Sequence, residues 1–243
     1  SLLGAHIRFH LRRLLRNPAF WVPTILFPMM LYSFFGASLP PAGIYSQMAI
    51  ASFSVYAVIG IAFYQFGTGI AQEREDPFDA WMRTLPASSL PNGLAQIFVA
   101  MLFAVAAVLL VFAASWLFGK TPLTLEQSIR LLLICALISI PAALMGIALG
   151  YSSSAKAAPA LANLIFLPLA FLGGLWVPPS QMPAMVAKIS LYTPTRQMGE
   201  LAWGSIVSKW PDTNFILGLL AYTLVFGVLV VWLVNRDRKK RFG

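Results

Sequence analysis

The sequence predicts an all-α polytopic membrane protein with six transmembrane helices. Hydrophobic residues make up 59% of the 243 residues and charged residues only 10%, whereas about a quarter of the residues in an average soluble domain are charged. Charge-free apolar stretches recur along the chain, each long enough to cross the ~30 Å hydrocarbon core of a bilayer as a helix. Lysine and arginine gather near both ends of the chain, as they do on the cytoplasmic flanks of membrane helices.

The first element, residues 1–18, is predicted to be an amphipathic helix at the inner membrane surface. Apolar side chains recur there at helical spacing, at Leu3, Ile7, Leu11 and Leu14. Four arginines occupy the opposite face of the same helix. A basic helix of this kind lies flat in the membrane interface with its apolar face toward the lipid chains.

Six spans and one irregular outer segment follow, all within a single transmembrane domain, residues 1–243. The predicted spans are residues 19–39, 46–71, 94–118, 129–150, 157–177 and 215–234. Residues 178–211 contain five prolines among many apolar side chains. We expect them to form two short re-entrant helices in the outer leaflet, since irregular backbone at that depth has to be buried against protein. Arg196 and Glu200, four residues apart, are predicted to pair on one helix face.

The charge distribution predicts the orientation of these spans. An even number of spans places both termini on one side of the membrane. If that side is the cytoplasm, the cytoplasmic segments hold most of the lysines and arginines outside the spans, as the positive-inside rule requires. We therefore expect a multi-pass protein of a bacterial inner (cytoplasmic) membrane, with both termini in the cytoplasm and lipid around the spans.

A charged island, residues 72–91, interrupts the apolar front half of the chain. Five of its first eight residues are ionisable: Glu73, Arg74, Glu75, Asp76 and Asp79. Each such side chain costs several kcal/mol at the centre of a bilayer, so the island belongs at the water boundary. A short charged helix between two spans is suited to contact with a soluble partner, and we interpret it as a cytoplasmic coupling helix through which a soluble motor acts.

Several classes of function lack their sequence signatures. There is no GxxxxGK[ST] motif for ATP, and neither GxSxG nor HExxH for hydrolysis. His6 and His10 lack a third metal ligand nearby, and the single Cys135 lies within an apolar span, so no metal site and no catalytic site are predicted. The basic charge lies at the membrane flanks, which disfavours a nucleic-acid partner. No acidic or basic residue lies clearly in mid-membrane, which disfavours coupling to an ion gradient.

Polar side chains follow one face of the second predicted span. They are Gln47, Ser54, Gln65, Thr68 and Gln72. This stripe is compatible with the lining of a substrate path or a seam between subunits. It is equally compatible with ordinary hydrogen bonds between membrane helices.

Three motifs in order resemble those of a known family. They are Arg16-Asn17-Pro18 at the end of the amphipathic helix, Glu73-Arg74-Glu75 after the second span, and GGLWVPPSQMP followed by YTPTRQMGELAWG before the last span. With these spacings the chain resembles the membrane (permease) subunit of ABC-type-2 exporters, which serve drug, lipid and polysaccharide export. Residues 76–81 depart from the pattern usual after the charged triplet.

The resemblance implies an assembly and a division of labour. The permease would pair with a second copy or a sister permease and bind cytoplasmic P-loop ATPase subunits. ATP and magnesium would be held by those ATPases, with no cofactor and no hydrolysis in this chain. The residues implied in coupling to the ATPase are Glu73, Arg74, Glu75, Asp76, Asp79, Trp81 and Arg83. The residues implied in a substrate path along the second and fifth spans are Phe53, Tyr56, Phe63, Gln65, Asn163 and Phe166, with Phe171 as a further apolar wall.

The expected function is export of a hydrophobic or amphipathic compound, such as a drug, a lipid or a natural product. An alternative within the family is export of a lipid-linked polysaccharide. An integral membrane enzyme acting on lipid and a membrane scaffold without transport are further alternatives, and the recovery of an ATPase with the chain would distinguish both from an exporter.

Overall fold

The computed structural model describes residues 2–36, 38–40, 43–76, 90–118, 123–209 and 211–242. Every regular element within these ranges is helical. Four described helices are long and apolar enough to cross a membrane: Ile44–Glu75, Gly93–Leu117, Leu125–Ser152 and Thr213–Asp237. The predicted class of polytopic helical membrane protein is therefore confirmed. The first and fifth predicted spans correspond to shorter apolar helices, so the count of six spans stays a prediction.

Helix α1, Leu2–Leu15, is amphipathic as expected. Ile7, Leu11 and Leu14 pack against the core, whereas the arginines on the other face are exposed or half-buried. The helix lies against α4, Leu90–Leu117. Pro18 begins the next helix, where its missing N–H leaves no hydrogen bond unmade.

Helix α2, residues 18–36, replaces the regular first span that the sequence predicts for residues 19–39. It alternates α-helical turns with two π-helical segments, Val22–Leu26 and Tyr32–Gly36. Pro23 and Pro28 lie within this region, and each removes one backbone donor from the helical ladder. Such interruptions widen the helix locally and change which face each residue presents.

Helix α3, Ile44–Glu75, is the centre of the molecule. The most apolar 18 residues of α3 are 89% buried inside the chain, because other helices pack around it. These are α2, α4, and three later helices: α5 (Leu125–Ser152), α6 (Ala158–Leu172) and α8 (Pro194–Val207). A segment of π-helix, Phe63–Thr68, interrupts it. Its 32 residues extend about 48 Å, which exceeds the hydrocarbon thickness. The sequence predicts that this span ends at residue 71, whereas the helix continues through Glu75.

Helix α5, Leu125–Ser152, packs closely against α3 through two glycines. A Cβ atom on Gly146 would lie 2.3 Å from the carbonyl oxygen of Ala62, and one on Gly150 would lie 2.7 Å from that of Phe66. Both distances are shorter than van der Waals contact, so only glycine permits this approach. The glycine face of α5 therefore lies on the π-helical part of α3.

The beginning of α5 is fixed by a capping box. The Thr124 hydroxyl accepts a hydrogen bond from the Gln127 amide, and the Gln127 side chain accepts one from the Thr124 amide. The Gln127 side-chain amide also donates to the Ile206 carbonyl and to Gln47 Oε1. These bonds join the first turn of α5 to α3 and to α8.

Helix α6, Ala158–Leu172, is shorter than the predicted span of residues 157–177. Its 15 residues extend about 22 Å, and the chain turns at Gly173 and Gly174, of which Gly174 has a φ of 80° that favours glycine. A 3₁₀ turn, Pro179–Gln181, and a short helix α7, Ala184–Ser190, follow.

Helix α8, Pro194–Val207, is the more deeply buried of the two helices in the predicted outer segment. The Thr195 hydroxyl donates to the Leu169 carbonyl at 2.6 Å, and Trp203 Nε1 donates to Ser52 Oγ at 2.8 Å. Arg196 and Glu200 form an ion pair of 2.6 Å along one face, which confirms that pairing.

The last helix, α9, Thr213–Phe242, lies at the outside of the bundle. Only 11% of its most apolar window is buried inside the chain. It packs on α5 and α8 and exposes a row of apolar side chains. The helix continues past residue 234, the predicted end of the span, through the basic residues that follow.

Candidate functional site

The charged triplet Glu73-Arg74-Glu75 forms the last turn of α3. The helix ends at Glu75, and Asp76 directly after it has an extended backbone (φ −75°, ψ 123°). Pro77 follows in the sequence, and the residue before a proline is disfavoured in the helical conformation. The triplet is thus part of the central helix, and the chain leaves that helix directly after it.

Glu73 joins α3 to the first helix and to α4. Its Oε1 accepts from Arg13 Nη1 at 2.6 Å, and its Oε2 accepts from Gln96 Nε2 at 2.9 Å. The Arg13 side chain is 38% exposed and that of Glu73 is 20% exposed, so water screens this pair partly. Through Glu73, α1 and α4 are bonded to the same turn of α3.

Arg74 joins α3 to α5 and to α9. Its Nη2 and Nε donate to Asp237 Oδ1 at 2.5 Å and 3.2 Å. Its Nη1 donates to the carbonyl oxygens of Gly150 and Ser153 at 2.9 Å and 3.3 Å, and its guanidinium lies over the Tyr151 ring. The side chains of Arg74 and Asp237 are only 17% and 8% exposed. This is the best shielded ion pair at this end of the described chain.

Glu75 bonds the link between α5 and α6. Its Oε1 accepts from the Ala155 amide at 2.9 Å. Beside Glu75 and Arg74 lies an open cavity of ≈ 370 Å³. Its other walls are the end of α5, the serines that follow it, and Leu233, Arg236 and Asp237 of α9. The end of α3, the α5–α6 link and the end of α9 therefore surround this cavity, which is lined mainly by polar side chains.

The predicted coupling residues fall into two groups. Glu73, Arg74 and Glu75 converge on one end of the molecule, with Asp76 exposed directly after them. The other three predicted residues, Asp79, Trp81 and Arg83, lie outside the described residues. The role of all seven toward an ATPase stays a prediction. Within the chain, the triplet connects α3 to α1, α4, α9 and the α5–α6 link.

Sequence reasoning missed the partners Arg13, Gln96 and Asp237. Asp237 is the one acidic residue within a run of basic residues, from Arg236 to Arg241. An acidic residue at that place, beyond the end of an apolar span, is a sequence signal for an ion pair with a basic side chain elsewhere in the chain.

The predicted substrate-path aromatics lie in the core of the single chain. Phe53, Tyr56, Phe63 and Phe166 are each 3% exposed or less. The Tyr56 and Phe166 ring centroids are 4.7 Å apart, and those of Phe63 and Phe166 are 5.8 Å apart. Phe171 differs, since 39% of it is exposed. In one copy of the chain the four buried rings therefore act as packing between α3 and α6.

The two polar residues of the predicted path are bonded across helices. Gln65 Nε2 donates to the Gln96 carbonyl of α4 at 3.1 Å, and the Tyr64 hydroxyl donates to Asn163 Oδ1 of α6. Gln65 Oε1 and the Thr68 hydroxyl are buried without a hydrogen-bond partner in the described part of the chain. The Gln65–Gln96 and Tyr64–Asn163 bonds are hydrogen bonds between helices, which polar stripes commonly form in membranes. Any contact of these residues with substrate stays a prediction.

The chain is similar in sequence to a known family and to a known protein. Residues 2–207 match the family described as ABC-2 type transporter. The chain is also similar to a protein of Bacillus subtilis (strain 168) named "Putative transport permease YvfS". The two are 25% identical over 226 residues, which cover 90% of this chain and 91% of that protein.

Proposed function

Because the chain belongs to the ABC-2 type transporter family, we propose that this transporter permease is the membrane subunit of an ATP-driven exporter. In this proposal it moves a hydrophobic or amphipathic compound out of a bacterial cell across the inner membrane. ATP hydrolysis, with its magnesium, takes place in a separate cytoplasmic P-loop ATPase. The single observation that carries the proposal is that the central helix α3 ends in the charged triplet Glu73-Arg74-Glu75. Further charged residues follow this triplet in the sequence.

The geometry of α3 suits the transmission of force. A segment that follows Asp76 is attached directly to the most buried helix of the molecule. A partner that displaces this segment acts on α1, α4, α9 and the α5–α6 link through the side chains of Glu73, Arg74 and Glu75. Rigid-body motion of packed helices is an established way to convert a local event into a change of shape across a domain.

The exposed face of α2 supports a path that two permease copies form together. Phe27, Met30, Phe34 and Phe35 are between 41% and 71% exposed. Leu164 and Phe171 of α6 are 70% and 39% exposed. The buried rings of the core cannot contact a second copy of the chain, whereas these exposed side chains form an apolar surface that a second copy can contact. We propose that a second copy or a sister permease faces them, and that an apolar or amphipathic substrate passes along that seam.

The orientation proposed is that both termini lie in the cytoplasm. α1 and the end of α9 both contact the last turn of α3, so one end of the bundle carries both terminal helices and the charged triplet. The basic residues of α1 and of α9 favour the cytoplasmic side for that end.

Recovery of the chain from its native membrane in a mild detergent, followed by mass spectrometry, tests the proposal. We expect a P-loop ATPase to be recovered in near-equal amount with the permease. A monodisperse chain recovered without an ATPase, from membranes in which the ATPase genes are expressed, would contradict the exporter assignment. The bound lipids and small molecules in the same sample then distinguish a lipid-linked polysaccharide from a smaller apolar compound.

A further inference from the structure

We infer that Asp237 is a positioning residue: through Arg74 it ties the cytoplasmic end of α9 to the end of α3, so that both helix ends move together when an ATPase displaces the coupling segment. This inference rests on the proposed function. It assigns to the last helix a part in transmission that the charged triplet alone does not indicate.

The geometry of the Arg74–Asp237 pair supports a firm connection. Two guanidinium nitrogens of Arg74 donate to one carboxylate oxygen, at 2.5 Å and 3.2 Å. The same guanidinium is held by two carbonyls at the end of α5 and lies over the Tyr151 ring. An arginine fixed on several sides presents its donors in one orientation, which makes the pair with Asp237 directional.

Burial adds to the strength of this connection. The side chains of Arg74 and Asp237 are 17% and 8% exposed, compared with 38% and 20% for Arg13 and Glu73. An ion pair that water reaches poorly is screened less by salt. Loss of one member would leave a charge in a poorly solvated position, which is far more costly than loss of an exposed pair.

The surroundings show why a side-chain connection is needed at this place. An open cavity of ≈ 370 Å³ lies between the end of α3, the end of α5 and the end of α9. The cavity separates the end of α9 from part of the ends of α3 and α5, and the Arg74 side chain reaches Asp237 beside it. The apolar part of α9 buries only 11% of its window in the chain. Since α9 otherwise packs on α5 and α8, the Arg74–Asp237 pair is the bond that joins the cytoplasmic end of α9 to α3.

The test uses the complex of the permease with its own ATPase in nanodiscs. In a Cys135→Ala background, a bimane fluorophore is attached to a cysteine at Gln72 or at Asn235, both of which are exposed. Emission is compared without nucleotide and with ATP, magnesium and vanadate. We expect both reporters to respond in the otherwise native complex. In Asp237→Ala the Gln72 reporter should keep its response and the Asn235 reporter should lose most of it.

Two variants separate this role from general damage to the fold. Asp237→Glu retains the charge and should restore the Asn235 response. Glu200→Gln breaks another well-shielded ion pair, Arg196–Glu200, and should leave both reporters unchanged. An Asn235 response in Asp237→Ala equal to that of the native protein overturns the inference while the proposed function stands, and so does an Asn235 reporter that never responds. Absence of an ATPase from the complex overturns both.

Discussion

Single residues decide how closely the central helix can be approached. Gly146 and Gly150 bring α5 against the backbone of α3 at the π-helical segment Phe63–Thr68. In lipid the hydrophobic effect adds little to helix association, so close backbone contact and hydrogen bonds hold membrane helices together. These two glycines therefore contribute to stability through the absence of a side chain.

Gly150→Ala is expected to destabilise the protein by about 1–3 kcal/mol, the usual cost of an overpacked core. The added Cβ would lie 2.7 Å and 2.9 Å from the carbonyl oxygens of Phe66 and Gly67, which are backbone atoms and cannot rotate away. Thermal unfolding in detergent measures the effect. Gly227→Ala is the matched control, because no atom lies within 4 Å of a Cβ added there. A Gly150→Ala protein as stable as the Gly227→Ala protein would refute the close approach.

At the scale of elements, the beginning of α5 combines a local and a non-local function. The capping box of Thr124 and Gln127 satisfies the first amides of the helix. Gln127 also bonds to α3 and to the carbonyl of Ile206 in α8. Three helices therefore share one polar connection at the end of the bundle opposite to the charged triplet.

Thr124→Ala is expected to lower the free energy of unfolding by about 1 kcal/mol, because the Gln127 amide loses its acceptor. Gln127→Ala should cost more, since it removes the bonds to Gln47 and Ile206 as well. Chemical or thermal unfolding in detergent provides both values. Glu126→Gln serves as the control: Glu126 is 78% exposed and its ion pair with Arg130 is long, at 3.6 Å, so its loss should be near neutral. An equal effect of the two main substitutions would mean that the non-local bonds add nothing.

The elements also show what the sequence could and could not predict. Apolar runs as long as those of α4, α5 and α9 identify helices by length and composition alone. The π-helical segments of α2 and α3 are only five or six residues long, too short to alter the hydrophobic pattern of a whole span. The sequence predicts a span that ends at residue 71, whereas helix α3 continues through Glu75, because charged residues indicate a membrane boundary without ending a helix.

The site shows a similar division. The triplet was found because it is a local charge cluster, whereas its partners Arg13 and Asp237 lie 60 and 163 residues away in sequence. The four aromatic residues of the predicted path lie in α3 and α6, but their burial depends on which helices surround α3. No single span contains that information.

On the scale of the whole molecule, the charged triplet and the segment after it are expected to govern the association with the ATPase. Asp79→Lys combined with Trp81→Ala changes the segment that follows α3, while both residues lie outside the described ranges and outside the triplet. We expect the yield of co-purified ATPase to fall at least several-fold, since an acidic and an aromatic contact are lost together. The amount of permease in the membrane should not change. Glu200→Gln, on α8, is the control and should retain the native yield.

Undiminished recovery of the ATPase with this double variant would contradict a docking role for the segment, although another segment could then still dock an ATPase. Loss of permease from the membrane would show instead that residues 77–89 are required for the fold.

The enclosure of α3 has a consequence for how the protein is made. Helices that surround α3 include α5, α6 and α8, all of which the ribosome synthesises later. Until residues 125–207 have emerged, the part of α3 that α5, α6 and α8 later cover meets lipid or the insertion machinery. It includes the Ser52 hydroxyl, which in the finished protein accepts a hydrogen bond from Trp203 Nε1 of α8. A nascent chain that ends after α4 should therefore be a preferred target for membrane quality-control proteases, and the full-length chain should escape them once α8 has closed over α3.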